Sequence, residues 1–147
     1  MLVRLSPEQI VIYWERLRPT FIENLLPKVD KTPETVFRVL QSLLTESLQL
    51  WAGYEEGESP IEERIYGFIA TSIDIDSISQ ERNLLIYSLF AVKKIPIEAW
   101  EEGIKILEEY KKLNKCSKLI AYTEVPEVLQ LTKKLGFKSS SFLVKED

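Results

Sequence analysis

The chain reads as an α/β protein (α+β in its ordering) in which a mixed, twisted β-sheet is flanked by helices on both faces. Three features predict this. The apolar period switches from helical to alternating near residue 48. The stretch NLLIYSLFAV (83–92) is apolar on both faces, as a central strand covered from two sides must be. Strand-helix-strand patterns then succeed one another to the C-terminus, which demands right-handed crossovers and some parallel pairing. A length of 147 residues fits one domain over 1–147, large enough to bury a real core.

Taken in order, the elements begin with helices. Ser6 is a good N-cap, Pro7 suits the first helical position and Gln9 completes a capping box. The helix is expected from Pro7 to about Arg18, with Ile10, Trp14 and Leu17 on one face and Pro19 interrupting it or beginning a new turn. Thr32-Pro33 repeats the cap-plus-proline signal. Val36, Phe37, Leu40, Leu43 and Leu44 then give the stripe of a second helix ending near Ser47. Strands are expected over 48–56 and 63–74, joined by EGESP, and over 83–92 after the break IDSISQER.

Pro96 and Ile97 open a helix that runs to Leu113, with Trp100, Ile104, Leu107 and Lys111 on one side. KLIAYT (118–123) is a short strand, and VPEVLQLTKKL is a helix stopped by Gly136 as a left-handed cap. FKSSSFLVKE supplies the last strand. The strands 83–92 and 118–123 should be parallel neighbours, because the intervening helix is a long enough crossover.

Composition removes several function classes. The formal charge is −4 and the basic residues are scattered, with Lys93-Lys94, Lys111-Lys112 and Lys133-Lys134 only as pairs. A nucleic-acid binder needs a clustered basic face, so none is predicted, and an anionic membrane surface fits no better. The absence of histidine excludes Ser-His-Asp and Cys-His nucleophile systems and histidine-ligated zinc. The single cysteine, Cys116, excludes an intrachain disulfide and a cysteine-built metal cluster, and it suits a reducing compartment. No metal site is expected. Arg4, Glu8 and Glu15 break the first apolar run, which predicts neither a signal peptide nor a membrane span. A cytoplasmic protein follows.

The order of elements resembles the GNAT superfamily of N-acetyltransferases over nearly the whole chain. LTKKLGF (131–137) is similar to the family's "lYeklGF" segment, and LLIYSLFAV, a long helix and CSKLIAYTEV precede it at the family's spacing. The resemblance implies a GNAT-like fold in which those two strands splay and the pantetheine arm of acetyl-CoA lies between them. It also implies a pyrophosphate-holding Arg/Gln-x-x-Gly-x-Gly/Ala loop before the helix. Small residues there let backbone amides approach phosphate, and the helix N-terminus adds partial positive charge.

The best-matching register here is Trp100-Glu101-Glu102-Gly103-Ile104-Lys105, with one glycine retained. Glu98, Glu101 and Glu102 would meet phosphates with like charge, though they also complement the dipole of the helix they open. On the resemblance, Phe90, Ala91, Val92, Lys93, Lys94, Gly103 and Lys105 are the candidate coenzyme-binding residues. The lysines would act as point charges. The family's acid is often the tyrosine of "lYeklGF", and Thr132 stands there instead. Tyr122 is then the candidate acid and Glu124 the candidate base, with Asp74 and Asp76 as other carboxylates able to serve.

The departures point to a degenerate active site. The expectation is a GNAT-like binding or assembly protein with no cofactor, its partner another protein and self-association included. Related folds without the loop occur among small proteins that look phage-encoded, which would make the chain virion-associated. The other reading is an active acetyl-CoA-dependent N-acetyltransferase with an atypical coenzyme site.

Overall fold

The computed structural model describes residues 1–23, 32–123, 126–140, 143 and 145. Its elements are β1 (Leu2–Arg4), α1 (Pro7–Glu23), α2 (Pro33–Leu44), β2 (Leu48–Tyr54) and α3 (Ile61–Arg64), then β3 (Ile65–Ile75), β4 (Arg82–Ala91), α4 (Ile97–Leu113), β5 (Lys118–Ala121) and α5 (Pro126–Lys134). The five strands lie in the order β1-β2-β3-β4-β5. The first three pairings are antiparallel, and β4–β5 is parallel, with Asn83 opposite Lys118 and Ile86 opposite Ala121. The expected parallel pair is therefore present, with α4 as its crossover.

Local chemistry explains the helix starts. The Ser6 amide donates to Gln9 Oε1 at 2.8 Å while the Gln9 amide donates to Ser6 Oγ at 3.2 Å, the reciprocal capping box. Thr32 Oγ1 accepts from the Thr35 amide ahead of Pro33 in the first turn of α2.

Two clusters cover the two faces of the sheet. Ile10, Trp14, Leu17 and Phe21 of α1 and Leu43 of α2 pack on Leu48, Leu50, Ala70 and Phe90. On the other face Leu107 of α4 meets Leu2, Trp51, Ile69 and Leu84, with Cys116 beside them. Each fully buried side chain of this size contributes about 1.5–3 kcal/mol, so α1 and α4 are clamped to opposite sides. The helices-on-both-faces reading holds.

The structure corrects the expected element map in four places. β1 was not expected: three residues are too few for a period to show, yet the edge ladder places Leu2 opposite Gly53. α1 continues past Pro19 to Glu23. Pro19 is exposed, while Phe21 beyond it is fully buried. Core packing thus draws the last turn on despite the lost amide. A short helix, α3, precedes β3 where strand was expected. Phe137 to Ser140 carry no strand, and the rest of the expected last strand falls mostly outside the described residues.

Two irregularities shape the end of the sheet near α4. The β3–β4 register shifts between Ala70 and Thr71, which face Ser88 and Ile86, so Tyr87 is the extra, bulged residue. The β4–β5 ladder stops at Ile86 and Ala121, while β4 itself runs on to Ala91 against β3.

Candidate functional site

On the resemblance, a coenzyme mouth is expected where β4 ends, residues 92–96 turn, and α4 begins. Gly67 of β3 is what lets the strands close there: a Cβ on it would stand 2.5 Å from the Phe90 carbonyl oxygen. One residue earlier, the Tyr66 carbonyl accepts from the Val92 amide at 2.7 Å and from the Lys93 amide at 3.2 Å. Pro96 caps α4 with no side-chain hydrogen bond and has no amide of its own. Glu98 is the acidic residue of the first turn.

The candidate binding residues separate into different environments. Phe90 is 4% exposed and belongs to the core, edge-on to Phe21 at 5.8 Å and tilted on Phe68 at 5.2 Å. Ala91 closes the ladder opposite Gly67, and Val92 and Lys94 are exposed. Gly103 and Lys105 lie inside α4, beyond the turn. A Cβ on Gly103 would sit 3.9 Å from Leu2 Cδ2, an ordinary contact, so packing does not require glycine there. Gly103 and half-buried Trp100 instead line a small apolar cleft of about 40 Å³ with Leu2, Tyr66 and Leu89.

Lys93 has a specific set of partners. Its Nζ donates to Glu55 Oε1 at 3.1 Å and to the Glu63 carbonyl at 3.3 Å, and it lies 5.3 Å from the centre of the Tyr66 ring. The Tyr66 hydroxyl donates to the other Glu55 oxygen at 3.3 Å. The hydrogen bond from Lys93, and then its charge, hold the Glu55 carboxyl below the usual carboxylate range. Burial first, and then the Glu55 charge, push the Tyr66 phenol up. Sequence reading missed Glu55 and Tyr66. The signal for the Glu55–Lys93 pair was YEE at the end of one expected strand and AVKK at the end of another; both strands pair with β3, which carries Tyr66.

The proton-transfer candidates lie on different elements. Tyr122 is half exposed, one residue beyond β5. Glu124 lies outside the described residues. Thr132 Oγ1 donates to the Leu129 carbonyl of its own helix at 2.9 Å. Asp74 and Asp76 sit at the opposite end of the β3–β4 hairpin from Lys93. Asp76 Oδ1 accepts from the Ser79 and Ile78 amides and from Ser79 Oγ, which hold its pKa low. It orders the turn. Among the described residues no group of His, Cys, Asp or Glu is placed to hold a metal ion, and no helix is long and apolar enough to cross a membrane.

No protein-family model matches the sequence, and no curated protein matches it. Solved structures do. AAC(6')-Iy in complex with the bisubstrate analogue CoA-S-monomethyl-acetylneamine superposes with a TM-score of 0.70 at 14% identity, covering 100% of this chain and 96% of that one. An aminoglycoside acetyltransferase from an uncultured soil metagenomic sample gives 0.66 at 20% identity over 100% and 97%. A predicted acetyltransferase from Clostridium acetobutylicum, solved with acetyl-CoA, gives 0.66 at 15% identity over 100% and 95%. At these identities the likeness is one of fold, and that fold is GNAT-like.

Proposed function

We propose that this chain, which has the fold of the GNAT acetyltransferases, is a binding or assembly module that does not transfer acetyl groups. One observation carries the reading: the turn between β4 and α4 has little left to offer a pyrophosphate. Of its five residues, Val92 and Lys93 give their amides to the Tyr66 carbonyl and Pro96 has none. The Lys93 ammonium is held by Glu55, and no glycine lets a phosphate approach the backbone. Acetyl-CoA is the group this fold implies, and these residues do not fit it. The side chains support the same conclusion, since the Thr132 hydroxyl is turned into its own helix.

In this reading the partner is a protein, met in the cytoplasm, or in a virion if the chain is phage-encoded. Ile78, Leu113 and Phe37, which are 91%, 82% and 64% exposed, are among the exposed apolar side chains available as anchors.

The second reading, an acetyltransferase with an atypical coenzyme site, draws on the early end of the β4–β5 ladder and the bulge at Tyr87. Both give β4 a backbone able to take an extended ligand along 90–92, with Tyr122 as the candidate acid. One solved relative is described with acetyl-CoA. Calorimetric titration with acetyl-CoA at moderate salt separates the two. Losing two charge-assisted hydrogen bonds to pyrophosphate, at about 1.5–3 kcal/mol each, weakens binding by a factor of roughly 10² to 10⁴. Dissociation in the millimolar range or beyond is expected. A low-micromolar constant that is lost on Lys93→Ala or Lys105→Ala restores the enzyme.

A further inference from the structure

We propose that Glu55 sets the charge preference of the α4 mouth, by holding the Lys93 ammonium against Tyr66 and so withholding it from anions. This rests on the reading that the turn does not seat a pyrophosphate, and names one residue that contributes to it. The hold has three parts. Glu55 gives Lys93 a carboxylate oxygen at 3.1 Å, Glu63 gives it a carbonyl at 3.3 Å, and Tyr66 gives it an aromatic face at 5.3 Å. An ammonium with two hydrogen-bond acceptors and a ring is well satisfied where it stands.

The seat itself is braced. Tyr66 donates to the second Glu55 oxygen, so the carboxylate cannot rotate away without losing two bonds. Arg64, next to Glu63, donates to the Ser59 and Glu55 carbonyls and stands 5.9 Å from the Tyr54 ring centre, which fixes the backbone on both sides. Tyr66 also holds the turn from below, through its carbonyl and the amides of Val92 and Lys93. One tyrosine thus orders the lysine's backbone, its ring contact and its carboxylate partner. Glu98, Glu101 and Glu102 on α4 are exposed and add like charge against an anion, while the Lys93 ammonium is engaged by Glu55 and the Glu63 carbonyl. The ion pair is partly exposed, its side chains 39% and 47% accessible, so its effect is moderate.

The test uses inorganic pyrophosphate as the probe. Wild type, Glu55→Gln, Lys93→Ala and the double variant are titrated, and binding is followed by the backbone amide shifts of residues 92–95, 97 and 98. Glu55→Gln keeps the shape and one of the two accepting oxygens while removing the charge, and the same spectra report that the fold is intact. Glu55→Gln is expected to bind pyrophosphate about three- to tenfold more tightly than wild type at low salt, as one partly exposed charge-assisted contact becomes available. The gain should vanish in the double variant. Glu55→Gln binding no more tightly than wild type, absence of binding by either included, overturns the proposal. So does a gain that survives Lys93→Ala, which would make the cause a general loss of negative charge. The acetyl-CoA affinity of wild type judges the binding-module reading separately, and the pyrophosphate ratio judges Glu55.

Discussion

Gly136 and Lys115 occupy the same place in two helix ends and make opposite controls on one another. After α5, the Phe137 amide donates to the Thr132 carbonyl and the Gly136 amide to that of Lys133, with Gly136 at φ 91°. After α4, the Cys116 amide donates to the Lys111 carbonyl and the Lys115 amide to that of Lys112, with Lys115 at φ 57°. Both are Schellman motifs, whose left-handed residue is best a glycine. No heavy atom outside its chain neighbours lies within 4 Å of a Cβ built on Gly136, so Gly136→Val acts through backbone strain alone. It should lower stability by on the order of 1–3 kcal/mol. Lys115→Gly should raise stability by about 1 kcal/mol, since a left-handed non-glycine residue costs about 1–2 kcal/mol and a glycine is freer when unfolded. Urea melts of the two variants check both signs; changes in the same direction would contradict the shared motif.

At the scale of elements, β2 and β3 are joined by a buried polar chain as well as by their ladder. The Trp51 indole donates to Thr71 Oγ1 at 2.9 Å, Thr71 donates to Gln49 Oε1 at 2.9 Å, and Gln49 Nε2 donates to the Glu46 carbonyl at 2.7 Å. Thr71 is fully buried, so Thr71→Val strands a donor and an acceptor at similar volume. A loss on the order of 1–3 kcal/mol is expected in the same urea melts. The β3–β4 turn carries a pH signature. Asp76 has a depressed pKa in the fold, so the folded state binds fewer protons than the unfolded chain in the acid range. Its contribution is complete above the usual carboxylate range and disappears as pH falls through the folded value. Melting temperatures of wild type and Asp76→Asn should therefore differ near neutrality and converge in acid; a gap that stays constant down the acid limb would refute this role.

These elements also show what a sequence can carry. α2 and α4 were legible because amphipathic stripes and proline starts are local, and β4 because burial on both faces leaves a continuous apolar run. β1 and the last turn of α1 were not. A three-residue strand exists only through its partner, and Phe21 overrides Pro19 only through a core assembled from distant residues. At the site, the missing glycines and the threonine at 132 were legible as residue types. The Glu55–Lys93 pair was not, because its members are 38 positions apart and meet only across β3.

For the whole molecule, coenzyme binding must appear as stability. A ligand that binds only the folded chain stabilises it by RT ln(1 + [L]/Kd), whichever residues hold it. With acetyl-CoA at about 1 mM and a dissociation constant near 1 mM, the gain is about 0.4 kcal/mol. A constant near 10 µM would give about 2.7 kcal/mol at the same concentration. For a chain of this size each kcal/mol moves the midpoint by roughly 2–4 °C, so the two cases predict shifts of about 1 °C and about 5–11 °C. The binding-module reading expects the smaller shift, unchanged in Lys93→Ala because that ammonium is already engaged by Glu55. The two faces of the sheet are clamped by α1 and α4, so a ligand at the α4 mouth would stabilise the fold as one cooperative unit. Thermal melts at several acetyl-CoA concentrations read this directly. A rise of more than about 5 °C at 1 mM would rule out the binding-module reading and leave the acetyltransferase.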